Sequence, residues 1–201
     1  DEFVAYCARV SNPGNQNNKK TAAGLLKYLI KNEHWSPFEM VSLTMGIETT
    51  RDISHQIVRH RSFSYQEFSQ RYAVSDTFEM REARYQDAKN RQNSVSLDRN
   101  NIEDVRLCET WNMKQAQVLR SSREVYEWAL QQGIAKEQAR AVLPEGLTST
   151  TLYMAGTLRS WIHYCQLRMA NGTQKEHQKI AELCWDIIGT HFPSVIKAYE
   201  D

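Results

Sequence analysis

No run of apolar residues in this sequence approaches the roughly 20 that a membrane-crossing helix needs. Its start, DEFVAYCARV, also lacks the basic segment followed by an apolar one that marks a secretory leader, although the chain opens without Met and a leader removed earlier would leave no trace. Charge of one sign is missing too: 25 Lys and Arg against 24 Asp and Glu leave a net +1. No global field therefore concentrates nucleic acid or an anionic membrane, and any anion has to be bound locally. Cysteine is sparse. Cys7, Cys108, Cys165 and Cys184 form no CxxC and no Cys/His ligand spacing, so no metal site is expected. Set within apolar helical patterns, they read as buried free thiols of a reducing, cytoplasmic compartment. Internal repeats and low-complexity tracts are absent, as are HExxH, GxSxG and the phosphate-cradling patterns GxGxxG and GxxxxGKS/T. A dinucleotide, if one binds, does so without a Rossmann fingerprint.

What is present suits one domain over residues 1–201, with 41% hydrophobic and 24% charged residues around a single core. Ala22, Leu25, Leu26, Leu29 and Ile30 share one helical stripe. From Val41 to Glu48 the period changes to two, with Val41, Leu43, Met45 and Ile47 on one face, which predicts a half-buried strand. Residues 51–60 return to helix. Residues 75–104 carry almost nothing apolar and read as a long solvated loop, disordered or folded over an active site. A long helix is predicted over 105–132, its face set by Cys108, Trp111, Val118, Leu119, Val125, Tyr126 and Ala129 and its end by Gly133. A short helix at 135–143, a strand at 148–157, and helices at 158–169, 174–191 and 193–199 complete the chain. This order indicates a mixed α/β (α+β) domain, a small and mainly antiparallel sheet flanked by helices, and excludes a doubly wound one.

The chemistry concentrates in one stretch. Arg59, His60 and Arg61 are followed by Ser64, Gln66, Glu67, Ser69 and Arg71, a dense set of anion donors and hydroxyls closed by one carboxylate. Guanidinium groups fork onto phosphate or carbonyl oxygens, and Glu and Gln fix amide or ribose edges, so the set fits a phosphorylated, planar ligand. A solvated basic face at a helix end, with serines capping the next turn, would use the same residues. Composition alone leaves both readings open.

RHRSFSYQEFSQR at 59–71 resembles the signature of the flavin-dependent thymidylate synthases: RHR, two residues, Ser, one, Asn or Gln, Glu, one, Ser, one, Arg. The likeness extends through ARVS at 8–11 and HWSPFE at 34–39 to GIAKEQARAVLP and LRSWIHYCQLR in the C-terminal half. Gln66 stands where many members have Asn, and His163 where some have Asn. The resemblance implies an enzyme that methylates dUMP to dTMP, taking the one-carbon group from methylenetetrahydrofolate, reducing FAD with NADPH and releasing tetrahydrofolate. It implies that Arg59, His60, Arg61, Gln66 and Glu67 hold FAD together with Ser11, Ser36 and Glu39, and that Thr157, Arg159 and His163 touch the flavin. It places His34 near the flavin ring and the folate site. The dUMP site would draw on Gln56, Arg59, Glu67, Ser69, Arg71, Arg140 and Arg168, with Arg168, Ser69 and His34 the catalytic candidates. A homotetramer with sites at subunit interfaces follows from the same likeness. Plainer readings stand beside several of these: a turn before Pro37 for Ser36, a half-buried hydrogen-bonding histidine for His34, a surface salt bridge for Arg140. Two rival functions use the same residues, a nucleic-acid-binding module recruiting Arg84, Arg91 and Arg99, and a nucleotide- or flavin-binding protein without turnover.

Overall fold

The period-two run becomes the first strand of the sheet on which the domain is built. In β1 (Ser42–Thr50) Met45 and Ile47 turn inward and are buried, while Thr44, Gly46 and Glu48 face out. The β-branched run at 149–157 forms β5 (Ser149–Thr157), antiparallel to β1 in a register that pairs Ser42 with Thr157 and Thr50 with Ser149. On the other side of β5 lies β2 (Ser64–Glu67), part of the Arg-rich motif, so the sheet order is β1-β5-β2 and all pairings are antiparallel. The computed structural model describes residues 1–200; Asp201, the last residue of the domain expected over 1–201, lies outside them.

The helices cover the inner face. α2 (Ala22–Lys31), α6 (Leu158–Met169), α7 (Lys175–His191) and α8 (Pro193–Glu200) contribute Leu26, Trp161, Ile162, Ile188 and Val195, all fully buried, to one core with Leu152 and Met154 of β5. α3 (Arg51–Ile57) follows β1 without a loop and buries Ile53 and Ile57 against it; it is three residues shorter than its expected span. A helix that the sequence reading did not anticipate, α1 (Glu2–Ala8), buries Val4 and Ala5. The helix expected at 135–143 is a single turn, α5 (Lys136–Ala139), continued as a 3-10 turn over Arg140–Val142. Among the described residues no helix is long and apolar enough to cross a membrane.

Two expectations are corrected. Residues 75–104 are not a featureless loop. Phe78 bridges to Thr148, and Arg84–Gln86 (β3) pairs with Ser94–Ser96 (β4) in a hairpin. The turn of that hairpin is held by Asp87, whose carboxylate accepts from the backbone of Lys89 at 2.7 Å and of Asn90 at 3.1 Å and from Asn93 Nδ2 at 2.9 Å. Those bonds hold it below the usual carboxylate range. Period-based reading misses such a hairpin because side-chain hydrogen bonds, not an apolar face, set its shape.

The long helix α4 (Ile102–Gln131), capped by the Asn101 side chain, does not bury the face expected of it. Tyr126 and Ala129 are inside with Ala139 and Leu143, in a small second core, but Trp111, Val118 and Val125 remain between 41% and 49% exposed. The N-terminal two thirds of α4 meets the chain through polar contacts instead. Gln115 exchanges two hydrogen bonds with the backbone of Arg81, and Asp104 accepts from the Tyr85 hydroxyl at 2.8 Å and the Asp98 amide at 2.7 Å.

Candidate active site

The exit from α3 aims the motif. After Ile57 the helix opens, and the Tyr65 hydroxyl reaches back to the carbonyl oxygens of Ile57 and His60, at 3.0 and 2.7 Å. Burial pushes the Tyr65 phenol up to about 12, so it stays a donor. Period two along β2 sends Ser64 and Gln66 to the open face of the sheet and Tyr65 and Glu67 inward. Arg59 and Arg61 are exposed, and among the described residues neither meets a carboxylate.

His60 turns into the protein. Its Nε2 accepts from Nε of Arg168 at 2.8 Å, and its ring lies edge-on to Tyr164 with centroids 4.9 Å apart. To accept from a cation the imidazole must be neutral; burial first, then the Arg168 charge, lowers its pKa to about 4. Arg168, half-buried at the last turn of α6, meets no carboxylate among the described residues. Beneath this pair lies a second imidazole, fully buried. Tyr164 Oη sits 3.1 Å from His177 Nε2, and His177 Nδ1 sits 3.3 Å from Oε1 of Gln56. Gln56 in turn donates to Gln174 at 2.8 Å, and Gln174 to Glu176 at 3.1 Å. Glu176 is clasped by Arg84 of the hairpin and lies 3.9 Å from Arg81. The sequence reading named Gln56, His60 and Arg168 but not His177, Gln174 or Glu176. A signal was there: His177, Ala181, Cys184 and Ile188 share the buried stripe of α7, and a histidine on such a stripe needs polar partners.

The other expected residues fall into separate groups. Glu67 accepts from Thr150 Oγ1 at 2.9 Å and lies 3.4 Å from Arg51 Nη1, a buried donor with no hydrogen bond of its own. Ser69 sits in a turn where its Oγ is 3.4 Å from the Arg71 amide, and no general base touches it among the described residues. Arg71, not Arg140, makes the surface ion pair, to Glu137 at 3.4 Å, which ties the end of the motif to the α5 turn that carries the half-buried Arg140. A third group lies at the far end of the sheet. Glu39 and Arg159 are ion-paired, His163 packs edge-on against Trp35 at 4.6 Å, and His34 against Tyr28 at 6.0 Å. Burial, then the Arg159 charge, lowers the His163 pKa. Thr157 caps α6, Ser36 is exposed at the start of the 3-10 turn that carries Glu39, and Ser11 is exposed in a turn after α1, beside Thr21 and Leu25.

The distances between groups have a simple origin. Glu67 pairs with Leu152 and Ser42 with Thr157, so the two ends of the motif's neighbourhood stand about 17 Å apart along β5. Arg159 and Arg168 lie about two and a half turns apart on α6 and point to opposite sides. Arg84 is engaged by Glu176, which removes one of the arginines a nucleic-acid surface would have needed.

Residues 1–194 match the family model described as Thymidylate synthase complementing protein. A probable flavin-dependent thymidylate synthase of Paramecium bursaria Chlorella virus 1 is 51% identical over 201 residues, all of this chain and 90% of that protein. The flavin-dependent thymidylate synthase of a Synechocystis strain is 50% identical over 98% of this chain and 88% of its own length. Among solved structures, a UMP/dUMP methylase PolB from Streptomyces cacaoi, bound with 5-Br dUMP, superposes with a TM-score of 0.85 at 26% identity, covering 99% of this chain and 89% of that one. On the matched family, the shared length and the shared fold, the chain belongs to the thymidylate synthase complementing protein family, that of the flavin-dependent thymidylate synthases.

Proposed function

We propose that the protein is a thymidylate synthase that converts dUMP to dTMP with methylenetetrahydrofolate as carbon donor, FAD as resident cofactor and NADPH as reductant. One observation carries the reading: a guanidinium with no carboxylate partner, Arg168, is held by a neutral histidine from inside the Arg59–Arg61 motif. A cation left uncompensated and fixed by a neutral acceptor is suited to an anion that arrives with the substrate. The donor set also fits the cofactor. Arg59 and Arg61 offer exposed guanidiniums for a pyrophosphate, and Trp35 with His163 offers a ring edge and face for a planar system. When bound, a reduced flavin supplies the hydride that completes the methyl group.

The remaining work falls to the chain's own side chains. Uracil C5 is a poor nucleophile, and Arg168 is placed to polarise the ring carbonyls and stabilise the enolate-like negative charge on them that makes C5 nucleophilic before it attacks the one-carbon unit. Ser69 has no base beside it, so it acts as a hydrogen-bonding contact to dUMP with Gln56, Arg71 and Arg140. Ser11, Ser36, Glu39, Thr157, Arg159 and His163 serve the flavin, and His34 lies toward the folate. Arg159 lies on the opposite side of α6 from Arg168, while Arg59 and Arg61 flank the His60–Arg168 pair, so the proposed flavin contacts are split within one chain, which supports a homotetramer with sites completed across interfaces. The test is direct. Purified protein should be yellow, oxidise NADPH faster when dUMP is present, and rescue growth of a thymidine-requiring strain that lacks its own synthase. Colourless protein that still binds dUMP, or failure to rescue, would count against it.

A further inference from the structure

We propose that His177 is a positioning residue: its buried imidazole, bonded to Tyr164 on one side and to Gln56 on the other, completes with Gln174 a two-point hold that fixes the direction in which the Gln56 amide faces the nucleotide. The inference rests on the reading of Gln56 as a dUMP contact.

The direction of every bond in the chain can be deduced from one end. The Glu176 carboxylate, clasped by Arg84, only accepts, so Gln174 must turn its NH₂ group toward it, at 3.1 Å. That leaves the Gln174 carbonyl facing Gln56, which must therefore present its own NH₂ group, at 2.8 Å. The Gln56 carbonyl is then left facing His177 Nδ1 at 3.3 Å, and only a protonated Nδ1 satisfies it. With the proton on Nδ1, Nε2 of the neutral ring accepts from the Tyr164 hydroxyl at 3.1 Å. Burial raises the Tyr164 pKa and, ahead of the charges of Arg168 and His60, lowers that of His177 to about 4, so both keep these roles at neutral pH. Gln56 is left with one N–H and one carbonyl lone pair, both fixed in direction. An N–H so fixed suits a nucleotide oxygen.

His177 has no exposed surface, so it cannot touch the nucleotide itself. Replacing it by an apolar residue would strand the Gln56 carbonyl and the Tyr164 hydroxyl together, and the amide would be held from the Gln174 side alone, free to swing about that one bond. The two nitrogens can be tested separately, because Asn places a donor near the Nδ1 position and Gln an acceptor near the Nε2 position.

The experiment is a titration of dUMP into FAD-loaded enzyme for His177→Leu, His177→Asn, His177→Gln, Gln56→Ala and the His177→Leu/Gln56→Ala double variant. Flavin absorbance reads cofactor retention in each. We expect His177→Leu and His177→Gln to weaken dUMP binding about tenfold, the size of one well-made bond to a fixed partner. His177→Asn should stay within about threefold of the parent, and all should keep their flavin. In the Gln56→Ala background the His177→Leu loss should shrink to about twofold or less, because a residue acting through Gln56 has nothing left to position. Full loss of dUMP affinity in His177→Asn with retention in His177→Gln overturns the proposal, as does a His177→Leu loss that multiplies undiminished with that of Gln56→Ala. Should His177→Leu fail to fold, the Asn and Gln pair decides alone. If Gln56→Ala binds dUMP normally, the proposal falls together with the reading beneath it.

Discussion

Arg168 and Ser69 sit in the same expected site but in different physical settings, and their variants should separate accordingly. Arg168 is half-buried, held at Nε by a neutral imidazole 2.8 Å away and free of carboxylates among the described residues, so its forked nitrogens are available to a ligand. Arg168→Ala, and Arg168→Lys with its point charge in place of the planar fork, should lower dTMP formation by about a hundredfold or more while flavin is retained. Ser69, with nothing beside its Oγ but a backbone amide at 3.4 Å, should behave otherwise. Ser69→Ala should keep measurable turnover and bind dUMP about tenfold more weakly; complete inactivity in a variant that still holds FAD and dUMP would assign Ser69 a direct chemical role. A second residue-scale case is Gly156. A Cβ there would stand 2.4 Å from the ring of Phe63, which itself packs 5.0 Å from Trp161 and leads into the motif strand. An aromatic ring cannot yield by that much without moving its backbone. Gly156→Ala should therefore cost about 1–3 kcal/mol in denaturant unfolding and loosen flavin binding, and a fully stable, flavin-replete variant would show that the motif tolerates the shift.

At the level of elements, what was legible in the sequence divides by the force that shapes each one. β1, β5, α2, α6, α7 and α8 lie close to their expected bounds because each has an apolar face with a clear period, and burial enforces it. The motif around β2 was legible as a family signature, but the strand itself was not expected, since four residues give too short a pattern. The hairpin and the placement of α4 were not legible, because both depend on polar contacts between segments far apart in sequence. Arg81 is the clearest case. Its guanidinium bonds Asp52 at 2.7 Å and the Gly146 carbonyl at 3.1 Å, also reaching Thr50, while its backbone exchanges bonds with Gln115 and accepts from Trp111. One arginine thus ties the strand end, the start of α3 and the long helix to residues 75–104. Arg81→Ala should release that strap. Amide exchange over 84–96 should speed up at least tenfold, with the α7 core unchanged, and equal protection in both proteins would mean that Arg84 and Asp87 suffice to hold the hairpin. The candidate site shows the same division: the residues of the signature could be named, whereas the stripe of α7 could mark His177 only as a buried histidine in need of polar partners, and its partners Gln56 and Tyr164 emerge from the packing of α7 against α3 and α6.

For the whole molecule, two buried or half-buried histidines set a pH dependence whose sign can be worked out. His60 and His177 both have folded pKa values near 4 against an ordinary 6.5, so the folded state holds them neutral. Their contribution to stability is fully present above about 6.5 and is lost as pH falls through about 4, where folding must either keep an imidazolium beside Arg168 or give way. The melting temperature should fall between pH 6.5 and 4, and His177→Gln should flatten that fall relative to the parent; an unchanged slope would place the acid sensitivity elsewhere. Assembly is the larger consequence. Trp111, Val118 and Val125 repeat every seven residues along α4 and are 41%, 49% and 46% exposed, a stripe left uncovered among the described residues. Arg159 of the proposed flavin set and Arg168 of the proposed nucleotide set likewise lie on opposite sides of α6, so within one chain the candidate site is divided. If the stripe is covered by other copies of the chain, replacing Val118 and Val125 together by Glu should break the proposed tetramer without unfolding the single chain, since neither residue belongs to a core. Light scattering should then report dimers or monomers, circular dichroism an unchanged helix content, and flavin absorbance a loss of most bound FAD, because the donors contributed by a neighbour are gone. A monomer that binds FAD as tightly as the parent would show that one chain suffices for the cofactor, and an intact tetramer would move the interface to another face.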